Sequence, residues 1–157
     1  MADQVDFVIA DLKKFVRGEI VALGLNVNAN LRDSPPLGTP IDIGWASANW
    51  VPSVDSPFID PNPEPPDDLS SSHVAARAAI AQQGVNEMLG WNFNNGSIFS
   101  TNNVPYIGPL NDGSSKQSPA GFVQIAVERA VKQTAARAPT RSARSQRASA
   151  FKSRRGR

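Results

Sequence analysis

Residues 101–123 read TNNVPYIGPLNDGSSKQSPAGFV, and this stretch orders the elements on either side of it. Just before it, Ser97-Ile98-Phe99-Ser100 is a short run, apolar in the middle, that suits a short strand. Asn102 and Asn103 stop that strand. Pro105 then opens a helical turn, because its fixed φ matches a first helical position. Asn111-Asp112-Gly113 closes the turn, with Gly113 able to take a positive φ at little cost. After a polar loop, Ser118 followed by Pro119 reads as an N-cap with proline at the first helical position, launching a helix over 120–136. On that helix Val123, Val127, Ala130 and Val131 fall on one face, with Phe122 and Ala126 beside it. Thr134 continues the stripe as a polar member, and Pro139 ends the helix.

Working outward, Asn94-Asn95-Gly96 lies between Trp91-Asn-Phe93 and Ile98-Phe99, a turn signal that predicts a hairpin. Ser72 can cap a helix over 73–89, with Val74, Ala78, Ala81, Val85 and Leu89 along one side. Residues 53–72 mix five prolines with Asp55, Asp60, Glu64, Asp67 and Asp68 and keep no periodicity. They read as an acidic, extended excursion that orders against a neighbour. Asp67 and Asp68, adjacent acids without further ligands, read as helix N-terminal charges rather than a metal site. The run Ile43–Val54, with Trp45 and Trp50 in it, predicts a first long strand, whose far end Pro52 confines to an edge or a bulge. Residues 33–40, DSPPLGTP, form a loop.

Residues 2–31 carry apolar side chains at Val5, Val8, Ile9, Leu12, Phe15, Val16, Ile20, Leu23, Val27 and Leu31. Spacings of three and four make one helical stripe, with Asp6, Asp11, Lys13, Lys14 and Arg17 off it. Gly18 and Gly24 each weaken the helix by about 1 kcal/mol relative to alanine, and Gly24 is where a bend or break would fall. The stripe packs either within the domain or against another subunit.

The stretch NNVPYIGPLNDGSSKQSPAGFVQIAVERAV resembles the signature of the HK97-type family of tailed-phage neck and tail-completion proteins. In that family an Asn-x-x-Pro-Tyr segment precedes Leu-Asn-x-Gly-x-Ser-x-Gln-x-Pro-x-Gly-Phe and a final helix. Upstream, TPIDIGWASANW at 39–50 is similar to the family's Thr-Pro-Val-Asp-Thr-Gly followed by an aromatic-ending strand, with Ile43 where the family carries threonine. The resemblance covers roughly residues 1–136 and marks Pro40, Asp42, Gly44, Trp50, Pro105, Tyr106, Leu110, Asn111, Gly113, Ser115, Gln117, Pro119, Gly121 and Phe122 as motif or interface positions. Neither motif is catalytic. Tyr106, Leu110 and Phe122 read as core anchors, while Asn111, Ser115 and Gln117 read as loop residues that bond backbone locally or meet a partner.

The net charge of +2 conceals a division. Residues 1–130 hold all 14 acidic residues against 7 basic ones, a net of −7, whereas residues 131–157 hold 9 basic residues and no acid. The arm over 137–157, with Arg137, Arg141, Arg144, Arg147, Lys152, Arg154, Arg155 and Arg157, has one aromatic, Phe151, and too little apolar surface to fold alone. It reads as a phosphate- or acid-seeking segment. DNA contacts would go mostly to phosphates and be salt-sensitive, but the acidic body of its own kind is a sufficient partner.

The chain has no cysteine, which excludes disulfides and thiolate metal sites. No apolar run approaches the roughly 20 residues of a membrane helix, and the start is no signal peptide. The one histidine, His73, sits beside three serines near an expected helix start, and there is no Gly-x-Ser-x-Gly, P-loop or ligand cluster. The reading is therefore non-enzymatic, with no cofactor and no metal. The expected fold is α+β: a long N-terminal helix and a C-terminal helix on a small, mainly antiparallel sheet, in one domain over 1–136 with an extended Pro-rich loop. The resemblance implies a structural virion protein made in the bacterial cytoplasm. It would form a hexameric or dodecameric ring at the neck, between the head connector or stopper and the tail terminator or tail tube. The alternative is a nucleic-acid-binding module that uses the basic arm.

Overall fold

The computed structural model describes residues 2–60, 64–67 and 70–137. Helix α1 (Ala2–Leu31) is followed by a single helical turn, α2 (Trp45–Ala48), and strand β1 (Val51–Val54). Helix α3 (Ser71–Leu89), strand β2 (Ile98–Thr101), a short turn α4 (Ile107–Pro109) leading into a π-helical turn at Leu110–Ser114, and helix α5 (Phe122–Arg137) complete the chain. The class is the expected α+β, with two antiparallel strands in register Val51↔Thr101 to Val54↔Ile98. No helix among the described residues is long and apolar enough to cross a membrane.

Helix α1 is continuous through Gly24, so no break falls there. That glycine serves packing: a Cβ at position 24 would lie 2.6 Å from Met88 Sδ and 3.3 Å from an Ile98 methyl. Gly84 does the same for α3, where a Cβ would overlap the Pro52 carbonyl oxygen of β1. Among the described residues the sheet has two strands, both edges, so Pro52 removes no interior ladder bond.

The buried stripe of α5 is Phe122, Ala126, Ala130 and Thr134, at steps of four. Val127 and Val131, expected on the core face, are instead about half exposed beside it. The reason is the close approach of α1: small residues let the helices come together, and branched side chains are displaced to the shoulder of the contact. Polar bonds fix the pairing. Asn30 Nδ2 donates to the Ala126 carbonyl and to Gln133 Oε1 at 3.0 Å, and Asn26 Nδ2 donates to Thr134 Oγ at 3.0 Å. Leu31, Trp50, Phe122 and Ala126 form the core at one end of this pair, with Val27, Ile107, Leu110 and Val123 packed on it.

Three local expectations are corrected. The run from Ile43 does not extend as a strand: Ala48 N–H donates to the Gly44 carbonyl and Asn49 Nδ2 to the Trp45 carbonyl, so the chain closes a helical turn before β1. A short apolar run has no period to separate the two conformations, and alanine with a competing asparagine side chain decided it. Trp91–Phe93 forms no strand, so there is no hairpin. Asparagine side chains fold 92–95 on itself, and β2 pairs with β1 rather than with its sequence neighbour. Helix α3 starts two residues early, with Ser70 as N-cap in a capping box with His73. Ser70 N–H donates to His73 Nδ1 at 3.4 Å, which gives the lone histidine a structural task. Its buried residues are Ala81, Gly84 and Met88, whereas Leu89 is half exposed.

Thr39 joins the loop to the core. Its hydroxyl donates to the Leu31 carbonyl at 2.6 Å and accepts from Trp50 Nε1 at 2.7 Å, and its backbone N–H reaches the same carbonyl at 3.1 Å. All three side chains are buried. Replacing Thr39 with valine keeps the shape but leaves the indole N–H unpaired, at a cost of about 1–3 kcal/mol. Chemical denaturation of Thr39→Val should show that loss, and Thr39→Ser, which keeps the hydroxyl, should recover most of it.

Candidate functional site

The two motif stretches meet in space. Ile41 N–H donates to Gln117 Oε1 at 2.8 Å, and the Ser118 hydroxyl donates to the Gly38 carbonyl at 2.7 Å in a buried contact. Ser118 is thus spent on the 33–40 loop and does not cap α5, and Pro119 lies exposed before the helix. The capping is done from a distance by Asn111, whose Oδ1 accepts from Val123 N–H at 3.0 Å and whose carbonyl accepts from Gly121 N–H at 2.7 Å. An asparagine oxygen on the N-terminal amides of a helix satisfies a donor that has no partner within the helix. Gly113, at φ 95°, turns the chain back so that Asn111 can reach, with Ala120 packed where a side chain would stand.

Between the joined stretches lies a cleft of about 360 Å³. Pro40, Ile43, Trp45, Leu110 and Pro65 make its apolar walls, and Asp42, Tyr106, Ser115 and Gln117 bring polar atoms to it. Tyr106 is half buried and Asp42 is exposed. Burial raises the Tyr106 phenol above its ordinary range, and the Asp42 carboxylate adds to the rise by disfavouring a second negative charge nearby. Among the described residues two ion pairs form, Arg77–Asp60 and Arg129–Asp33, and neither involves Asp42.

Behind the cleft Arg77 lies over the Trp45 ring, 4.9 Å from its centroid, and pairs with Asp60, which is almost fully buried. Asp60 N–H in turn donates to Asn103 Oδ1 at 3.1 Å. The start of the Pro-rich excursion is therefore tied to α3 and to the motif of the first stretch, and Pro65 is brought to the cleft.

Of the motif positions, Pro40, Asp42, Gly44, Tyr106, Leu110, Ser115 and Gln117 come together at the cleft. Tyr106 and Leu110, read as core anchors, line it, though Leu110 also packs against the core cluster. Trp50 and Phe122 are buried in the core, Asn111, Gly113 and Gly121 build the start of α5, and Pro105 is exposed. Arg137 ends α5, whereas Arg141, Arg144, Arg147, Lys152, Arg154, Arg155 and Arg157 lie outside the described residues, as does Asp68 of the acidic pair. Ile43, Trp45, Pro65, Asp60 and Arg77 were not singled out as site residues. Only Ile43 and Trp45 carried a signal, by lying inside the first motif.

Comparison with models of protein families, with curated proteins and with solved structures finds no match for this chain. The chemistry of the cleft must be argued from its own groups. One carboxylate, one phenol and apolar walls offer a seat for a side chain with an apolar stem and a cationic or hydrogen-bonding end. Tyr106 is the only tyrosine in the chain, so phenolate absorbance reports it alone. Asp42→Asn should lower its titration midpoint towards the ordinary value without reaching it, because burial remains. In the wild type, stability referred to Tyr106 is full below the ordinary tyrosine pKa of about 10 and is lost as pH rises through the raised value.

Proposed function

We propose that this chain is a structural subunit of a tailed-bacteriophage virion that forms a homo-oligomeric ring at the neck, joining the head connector to the tail. The observation that carries the reading is the first half of α1. Residues 4–14 are all exposed, so about 16 Å of helix stands clear of the body. Along it Val5, Val8, Ile9 and Leu12 form one stripe and are 45–63% exposed, with Phe7 exposed on the opposite side of the helix. This stripe continues in sequence the one that α1 buries further along, and none of the described residues covers it. Scattered apolar residues on a surface are ordinary, but a contiguous row on a projecting helix marks an interface.

A ring needs two different complementary surfaces on each subunit, because a heterologous contact must repeat by rotation until it closes. The projecting helix is one such surface. The resemblance of the stretches at 39–50 and 102–131 to neck and tail-completion proteins is the ground for proposing the neck, and their convergence on one cleft supports reading both as parts of one device.

Light scattering of the full chain, alone and mixed with neck proteins, tests this. A closed ring in either condition is the expected result. Val8→Asp with Leu12→Asp should abolish it, since burial of each half-exposed aliphatic chain contributes about 1 kcal/mol and a buried unpaired carboxylate reverses that. At dilutions where the wild type is also monomeric, the variant's unfolding midpoint should equal the wild-type value, because neither side chain packs in the monomer. Under assembling conditions the wild type should unfold later. A monomer in every mixture, together with salt-sensitive binding to duplex DNA, would replace the ring with the nucleic-acid reading.

A further inference from the structure

We propose that the cleft between the two motif stretches receives arginine side chains from the C-terminal arm, residues 138–157, of a second copy of this chain. Placing the donor on a second copy rests on the ring reading; the match between cleft and arm does not.

The arm carries seven basic residues and no acid over 138–157, and residues 1–130 are net negative by seven. The acidic groups of that body are not equally available. Asp60, in the Pro-rich excursion, is buried and held by Arg77, and Asp33 is held by Arg129. Asp42 is exposed at the cleft with no cation among its described partners, and the apolar walls beside it are what an arginine stem packs on. A carboxylate at the mouth of an apolar recess favours a guanidinium over an ammonium, because the guanidinium is more weakly hydrated and stacks on rings. The chain already uses this recognition once, where Arg77 lies on Trp45 and pairs with Asp60.

Size and reach agree. At about 360 Å³ the cleft is at the small end for ligand sites, suited to a side chain or two and not to a folded element. Helix α5 begins beside the cleft and carries the chain about 24 Å before Arg137. The 20 residues beyond it can span up to about 65 Å when extended, enough to cross to a neighbouring subunit. Arg141, Arg144 and Arg147 recur every third residue, so more than one register presents an arginine.

The chain lacks cysteine, so single-cysteine variants report proximity cleanly. Full-length Lys116→Cys, on the exposed rim of the cleft, is mixed with full-length Ser145→Cys, between two arm arginines, under mild oxidation. The expected result is a disulfide heterodimer in large excess over that formed when Gln82→Cys, on the exposed side of α3, replaces Lys116→Cys. Adding Asp42→Asn to the Lys116→Cys chain should cut the yield about tenfold, the equivalent of one charge-assisted bond. A yield equal to the Gln82 control, or one indifferent to Asp42→Asn, overturns the proposal. So does closure within one chain carrying both Lys116→Cys and Ser145→Cys when the mixed chains give nothing, since that places the arm on its own body. Light scattering keeps the two readings apart: a ring without the cross-link removes this proposal alone, and the cross-link without a ring removes the neck reading alone.

Discussion

Everything in this protein hangs on the close packing of α1 against α5. The contact is made by a residue stripe at steps of four, Phe122, Ala126, Ala130 and Thr134, and its register is set by Asn26 and Asn30 reaching across to α5. Small side chains bring the helices close enough for asparagine to reach a backbone carbonyl. That bond is directional, so it fixes both the sliding and the rotation of one helix on the other, which apolar contact alone would leave loose. Once α5 is placed, its first turn must stand beside the end of α1, and the core of Leu31, Trp50, Phe122 and Ala126 forms there.

The cleft follows from that placement. Asn111 caps α5 from the π-helical turn, so the loop over 105–118 is anchored at its far end by the helix it precedes. Thr39 anchors the other stretch by bonding Leu31 and Trp50. Two loops held on a common core at fixed points then face one another, and Gln117 and Ser118 close the remaining gap with bonds to Ile41 and Gly38. Loops fixed in this way can carry a recognition surface, because the scaffold and not the ligand meets the cost of ordering them. Arg77 extends the same logic to the Pro-rich excursion, whose Asp60 it ties to Trp45.

The molecule also divides its apolar surface unevenly. The second half of α1 is consumed by α5, α3 and the sheet, while the first half carries an equally apolar stripe into solvent. Val127 and Val131 lie outside for a different reason, being crowded off the helix contact. A single period in the sequence thus serves burial within the chain at one end and is left exposed at the other.

The sequence by itself determined the helices with strong periodicity, the short strand at Ile98, the glycine turn at Gly113, the separation of an acidic body from a basic arm, and the residues of the two motifs. These are local matters, written in spacing, capping chemistry and composition. Tertiary structure decided what local signals leave degenerate. The run at Trp45–Ala48 could extend or coil, and a helical turn won through Asn49 and Gly44. The strand at 98–101 could pair with its sequence neighbour or with Val51–Val54, and it takes the second while residues 92–95 turn on their own asparagine side chains. Ser118, read as a cap, is instead a tether to Gly38, and Asn111 caps the helix. Which part of an apolar stripe is covered and which stays exposed is the furthest from the sequence. A period of 3.6 says that a helix has an apolar face, and only the packed chain shows how much of that face its own residues can reach.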